Sequence, residues 1–289
     1  MRFNEKTEGL INFSDLKKTE FKIVYWLMFA VLVVVSLACI VPIIWVVVSS
    51  VKPTEEMYRV PPTIIPETID FGVLKSAWNK VQFGKYFLNS VILIIGAWAC
   101  DIFFNGLCGY ALSRLKPKGS SLVMTLLFWT MLISGISMVP LYETFVSLGG
   151  VGYFWPLWLQ SGCIAFNVML FRNFFNSIPM SYIEAARIDG LSEIRIFFKI
   201  IIPLSIPVLM VVSIFSVSHQ WSNFMWPYLL LTEDKVPVSV KLFMIDSNEN
   251  IMENEKMAIM LFSIVPPAIM YGLFSKHIMG GVSMTGIKG

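Results

Sequence analysis

The sequence predicts an all-α integral membrane protein, with six transmembrane helices and a water-facing helix–turn–helix between the fourth and the fifth. Three observations carry this. Apolar residues make up 56% of the 289 positions and charged residues only 14%, where a soluble domain of this length carries about a quarter charged. Apolar runs of about 20 residues recur, long enough to cross a hydrocarbon core of about 30 Å as helices. One charged segment, residues 181–203, is held between two of those runs and suits docking better than crossing.

The expected spans are residues 23–48, 86–112, 121–142, 153–171, 204–230 and 257–274. Backbone groups in lipid must be satisfied within their own segment, so each span is a helix. The first run is too long for a signal-peptide core and has no small-residue cleavage site after it, so it stays attached as a true span. Between the first two spans, Pro61, Pro62 and Pro66 punctuate an ordered connector. Phe71, Leu74, Trp78 and Val81 then recur at helical spacing, which predicts a short helix on the outer membrane face.

Lys and Arg in the connecting segments set the orientation. With the N-terminus inside, 14 of the 22 basic residues lie on the cytoplasmic side and 8 outside, five of these in the long first outer loop. Both termini are therefore expected in the cytoplasm. The organisation is a cytoplasmic N-terminal segment, 1–22, and a single transmembrane domain, 23–289, with the charged loop at about 177–203. The net charge of +3 is small and spread out and points to no nucleic-acid partner. Cys39, Cys100, Cys108 and Cys163 fall inside spans, where thiols behave as small apolar groups, and lack zinc-site spacing.

Local chemistry builds the charged loop. Pro179 stops the helix before it. Ser181 followed by Glu184 is a capping-box pattern and predicts a new helix through Ala185, Ala186 and Arg187. Asp189-Gly190 ends that helix, with glycine suited to a left-handed residue. Ser192 is a candidate N-cap for a second helix, with Glu193 near its positive end, running through Phe197, Phe198 and Ile201 to Pro203. Such a hairpin either anchors the loop to headgroups or serves as a rigid docking knob.

Polar residues inside spans are candidates for a translocation path, since lipid-facing positions penalise them. Asp101 and Asn105 share a face of the second span, Gln160 and Asn167 lie in the fourth, and His219, Gln220 and Asn223 cluster in the fifth beside Trp221 and Trp226. The alternative is hydrogen bonding between helices, worth about 0.6 kcal/mol per contact. Asp101 is the most costly of them, which favours pairing with a partner or a role in the path.

The chain has no Gly-x-x-x-x-Gly-Lys-Ser/Thr loop to cradle phosphates; Gly149 to Gly152 is glycine-rich but lacks the lysine. His219 and His277 are the only histidines, and no Ser-His-Asp or Cys-His set can be argued. Enzymatic activity and a cofactor held by this chain are not expected.

Glu184-Ala185-Ala186, Asp189-Gly190, Phe197, Ile201, Pro203 and Pro207 closely resemble the EAA loop of the permease subunits of bacterial ABC importers. Asn89-Ser90, Gly109 to Arg114 (GYALSR), Met138 to Tyr142 (MVPLY), Phe171 to Pro179, Trp221 to Pro227 and the terminal Gly286 to Gly289 extend the resemblance over about residues 48–289. It is similar in particular to the carbohydrate subgroup, which includes the six-span maltose permease. The resemblance implies a type I ABC importer permease fold in the bacterial inner membrane, working by alternating access. It implies a second homologous permease, two ATPase subunits that bind the ATP, and an extracytoplasmic substrate-binding protein. It also implies that Glu184, Ala185, Ala186, Asp189, Gly190, Phe197 and Pro203 form the coupling loop, and that the terminal tail contacts the ATPases. The acidic outer loop 233–255 departs from the family pattern and leaves the substrate open. The rival readings are an ion-gradient-driven transporter or channel, with Asp101 as the ion site, and a membrane scaffold without transport.

Overall fold

The structure, a computed structural model, describes residues 19–133, 138–246 and 250–285, and no strand occurs among them. Most of the N-terminal segment and the terminal Gly286 to Gly289 therefore lie outside the described residues.

The first helix, α1 (Thr19–Ser49), is apolar on every side and exposed along most of its length, Leu32 by 63% and Val34 by 65%. A helix apolar all round must be covered, here by lipid or by another chain. Its end is anchored where Ser49, Ser50 and Lys52 are buried. The Lys52 ammonium donates to the Thr63 carbonyl and stands 5.0 Å from the Trp45 ring. Glu56 accepts from Thr63 Oγ1 at 2.5 Å and from the Glu67 N–H, and the Asp70 N–H donates to the Val51 carbonyl at 2.8 Å. These bonds make the connector an ordered loop.

The short helix expected after the connector is α2 (Gly72–Val81), but its buried face is Val73, Ala77 and Val81. Phe71 is exposed, and Trp78 stands at the rim with its ring 5.2 Å from Phe262. Small and β-branched residues at four-residue spacing let the helix approach its neighbour closely, so the large rings are pushed to the edge of the contact. That neighbour is α13 (Glu253–Thr285). Glu255 at its start accepts from Ser76 Oγ at 2.6 Å and Lys80 Nζ at 2.7 Å. At least this acidic residue of the outer loop is occupied within the chain.

Between these lie α3 (Phe83–Leu115), α4 (Ser120–Leu132), α5 (Met138–Ser147), α6 (Trp155–Ser161), α7 (Ala165–Ser177), α8 (Met180–Ile188), α9 (Glu193–Leu204), α10 (Ile206–Ser222), α11 (Met225–Leu230) and α12 (Val238–Asp246). Among the described residues, two helices, Lys22–Ser49 and Phe83–Leu115, are long and apolar enough to cross a membrane alone. A third crossing is added if α9 and α10, bent by 85°, count as one. The fourth and fifth of the expected runs are not single helices. The fourth run breaks between α6 and α7, and the fifth breaks after Ser222. Gly162 stands at the first break and Asn223 at the second. Side chains satisfy freed backbone groups there, as where Ser239 Oγ donates to the Asn223 carbonyl at 2.8 Å, which is permitted where the backbone is buried in protein.

Two apolar cores result. One joins α2, the start of α3, α6, α12 and the start of α13 through Ala77, Leu93, Leu157, Val240 and Ile259. The other joins the end of α3 to α7, α8, α9 and α10 through Phe171, Phe175, Ile183, Phe197 and Val212. A buried polar cluster lies near the midpoint of α3, between them.

Candidate functional site

The charged hairpin is formed by α8 and α9. Its expected capping box does not form: α8 begins at Met180 with Pro179 in the N-cap position, so Ser181 is already inside the helix. Proline lacks an N–H and is set for a helix start, which moves the boundary upstream. The end of α8 follows expectation. The Leu191 N–H donates to the Ala186 carbonyl and the Gly190 N–H to the Arg187 carbonyl, each at 3.0 Å, with Gly190 at φ 76°. This is the double-bonded helix stop that favours glycine. A Cβ at Gly190 would meet nothing within 4 Å, so the backbone conformation and not crowding demands the glycine. Ser192 holds the N-cap position of the second helix with extended backbone and without a side-chain cap bond.

The loop residues divide into two sets. Glu184, Ala185, Asp189 and Gly190 are exposed at the tip, and Pro203 is exposed at the bend, whereas Ala186 and Phe197 are buried. Just before Pro203, residues Phe197–Ile201 form a π-helical turn. Proline cannot donate to the preceding turn, and a widened turn absorbs the missing bond.

The buried set is seated on the transmembrane helices. The Phe197 ring lies 5.5 Å from Tyr110 and 6.4 Å from Phe175, centroid to centroid. Its tip lies over Gly106, where an added Cβ would come within 3.3 Å. One turn on, a Cβ at Gly109 would fall 2.7 Å from Phe171 Cβ and 3.1 Å from the Arg172 backbone nitrogen. Glycine there lets α3 and α7 meet backbone to backbone. The Arg114 guanidinium caps the end of α7, donating to the Phe175 and Ile178 carbonyls.

A polar latch joins α8, α9 and α3. Glu193 accepts from Arg187 Nε and from the Tyr110 hydroxyl, each at 2.7 Å. The Arg187 bond first, and the Tyr110 bond second, hold the Glu193 carboxyl below the usual glutamate range. Tyr110 lies in the GYALSR motif, but nothing in the sequence paired it with Glu193, 83 positions away.

The intramembrane polar residues come together as a second site. Gln160, Asn167, His219, Gln220, Asn223 and Trp226 line a cavity of about 590 Å³ between α4, α6, α7, α10 and α11. Asp101 and Asn105 do not line it; both are fully buried behind its wall. Asn167 Nδ2 lies 2.8 and 3.0 Å from the two Asp101 carboxylate oxygens, and Asn105 Nδ2 lies 2.6 Å from one of them. Asn105 also closes the gap between α6 and α7: Nδ2 donates to the Ser161 carbonyl at 2.9 Å, and Oδ1 accepts from the Ile164 N–H at 3.1 Å. Gln220 Nε2 donates to Ser161 Oγ at 2.6 Å. Sequence reasoning missed Ser161 and the break itself, although a glycine at 162 inside an apolar run was the available signal.

Residues 21–279 match the family described as binding-protein-dependent transport system inner membrane component. The polygalacturonan/rhamnogalacturonan transport system permease protein YtcP of Bacillus subtilis is 30% identical over 279 residues, covering 91% of this chain and 97% of that protein. The diacetylchitobiose uptake system permease protein NgcG of Streptomyces coelicolor is 30% identical over 265 residues, covering 88% and 86%. Among solved structures, a chain of a bacterial ABC transporter involved in import of the acidic polysaccharide alginate superposes with TM-score 0.82 at 26% identity. It covers 90% of this chain and 98% of that one.

Proposed function

This chain belongs to the family of binding-protein-dependent transport system inner membrane components, and we propose that it forms half of the translocation path of a carbohydrate importer. Membership makes it a permease subunit of an ABC importer, a non-enzymatic component that works with an ATPase and a substrate-binding protein. The finer reading adds a second homologous permease, two ATPase subunits that hold the ATP, and both termini in the cytoplasm with the 177–203 hairpin.

One observation carries the coupling role. The hairpin packs on α3, α7 and α10 through the apolar core around Phe197 and is tied to α3 by the Arg187–Glu193–Tyr110 latch, while Glu184 and Asp189 stay exposed at its tip. A rigid knob with a free tip transmits a push into the core, as alternating access requires. Carbohydrate as cargo rests on the named substrates of the relatives and on a cavity with amides beside Trp226. Sugars present hydroxyls and apolar ring faces that such walls complement. Against an ion-driven transporter stands the enclosure of Asp101, which two amides occupy away from the cavity.

The test is affinity purification from native membranes of the wild-type chain and of Glu184→Lys. The wild type should bring down a Walker-A ATPase and a second permease. Glu184→Lys should insert normally and lose the ATPase, because residue 184 is exposed and reversing its charge leaves the buried seat untouched. A wild-type chain that purifies alone would overturn the reading.

A further inference from the structure

We propose that Asp101 is a positioning residue of the translocation path, holding open the break in the fourth crossing and setting the orientation of Asn167 at the cavity wall. The inference rests on the transport reading above. Every contact that the carboxylate makes in this cluster is with a donor. Asn105 and Asn167 each direct an amide Nδ2 at it.

The amide orientations follow from chemistry. Turned over, Asn105 would set its carbonyl oxygen against both the Asp101 carboxylate and the Ser161 carbonyl, and its NH₂ against the Ile164 N–H. As it stands, both amide hydrogens and the carbonyl are engaged. Asn105 therefore supplies, from α3, the partners that Ser161 and Ile164 lack because α6 and α7 are not continuous. Asp101 holds Asn105 in that pose.

The same carboxylate directs Asn167. With Nδ2 bound to both carboxylate oxygens, Oδ1 is the part of the amide not engaged with Asp101. Asn167 lines the cavity, so its contribution to the path is an acceptor suited to hydroxyl donors. Asp101 thus acts on the path through two amides without touching the cargo.

Cys163 provides a direct readout, because it lies in the break, is exposed and lines the cavity. The experiment compares the full chain in native membranes as wild type, Asp101→Asn, Asn167→Asp and the reciprocal exchange of both. Each is treated with a small cationic methanethiosulfonate, and modification of Cys163 is followed by mass spectrometry. Asp101→Asn should slow that modification several-fold at unchanged membrane level, as the break loses its support. The exchange restores one carboxylate facing one amide and should return the rate to within twofold of wild type. A merely space-filling role predicts no such rescue. A wild-type rate in Asp101→Asn, or an exchange no better than the single variants, would overturn the proposal. If Asp101→Asn does not accumulate, Asn105→Gln carries the test, and an unchanged Cys163 rate there overturns the proposal as well. This readout needs neither cargo nor ATPase, so its failure is separate from failure of the importer reading.

Discussion

Truncating Phe197 to alanine should unseat the hairpin while leaving the transmembrane helices assembled. The ring is 1% exposed and surrounded by Tyr110, Phe175 and Phe198, with Gly106 beneath it. Its removal leaves a void whose walls cannot collapse, because α3 and α7 already touch backbone to backbone at Gly109. The cost therefore belongs in the upper part of the range of about 3–5 kcal/mol for losing a buried Phe side chain. That shifts the seated–unseated equilibrium by about three to three and a half powers of ten. The loss is local, since the α3–α7 contact does not depend on the ring. Trypsin reads it directly, because Arg187, Arg195 and Lys199 lie in the hairpin. In vesicles with the hairpin facing out, Phe197→Ala should be cut far faster than wild type, and binding protein should no longer stimulate ATP hydrolysis in the assembled complex. Phe197→Leu, which keeps most of the volume, should fall between. Wild-type trypsin resistance with full stimulation in Phe197→Ala would refute the seat.

Three further outcomes follow from the geometry. Placing a side chain at Gly190 in its left-handed conformation should cost about 1–2 kcal/mol whatever its size. Gly190→Leu should thus be no worse than Gly190→Ala in hairpin protection from trypsin, and Gly190→Asn milder; a size-graded loss would count against the open space around this residue. Because the folded hairpin lowers the Glu193 pKa, the latch contributes in full above the ordinary glutamate range and is lost as pH falls through the lowered value. Hairpin protection should be flat near neutrality and fall only in acid, and Glu193→Gln should remove that acid limb; a limb that persists in the variant would assign it to another group. Gly109→Ala should cost about 1–3 kcal/mol by overpacking α3 against α7, read as a lower melting temperature of the purified complex. An unchanged value would show that the two backbones can part.

Composition and pattern made the membrane class legible, because apolar content and charge reflect the solvent around the chain and not its packing. The helix stop at Gly190 was legible for a similar reason: left-handed backbone is a local property that glycine serves best. The start of α8 was not, since Ser181 and Glu184 match a capping box whose bond does not form, and the helix begins directly after Pro179. The helix α2 was legible from its spacing, but its buried face was not, because periodicity marks apolar residues without saying which are small enough to enter a close contact.

The sequence by itself determined an apolar helical chain, a charged hairpin within it, and a set of polar residues that lipid would not accept. Only the tertiary structure decided what those polar residues do. Asp101 and Asn105 share a helix face, which the four-residue spacing showed, but Asn167 is 66 positions from Asp101 and Ser161 is 56 from Asn105. Contacts at such separations depend on how α3, α6, α7 and α10 pack, and no local rule encodes that. Packing also divided the hairpin into a buried seat and an exposed tip, since burial belongs to the assembled surface and not to the residue.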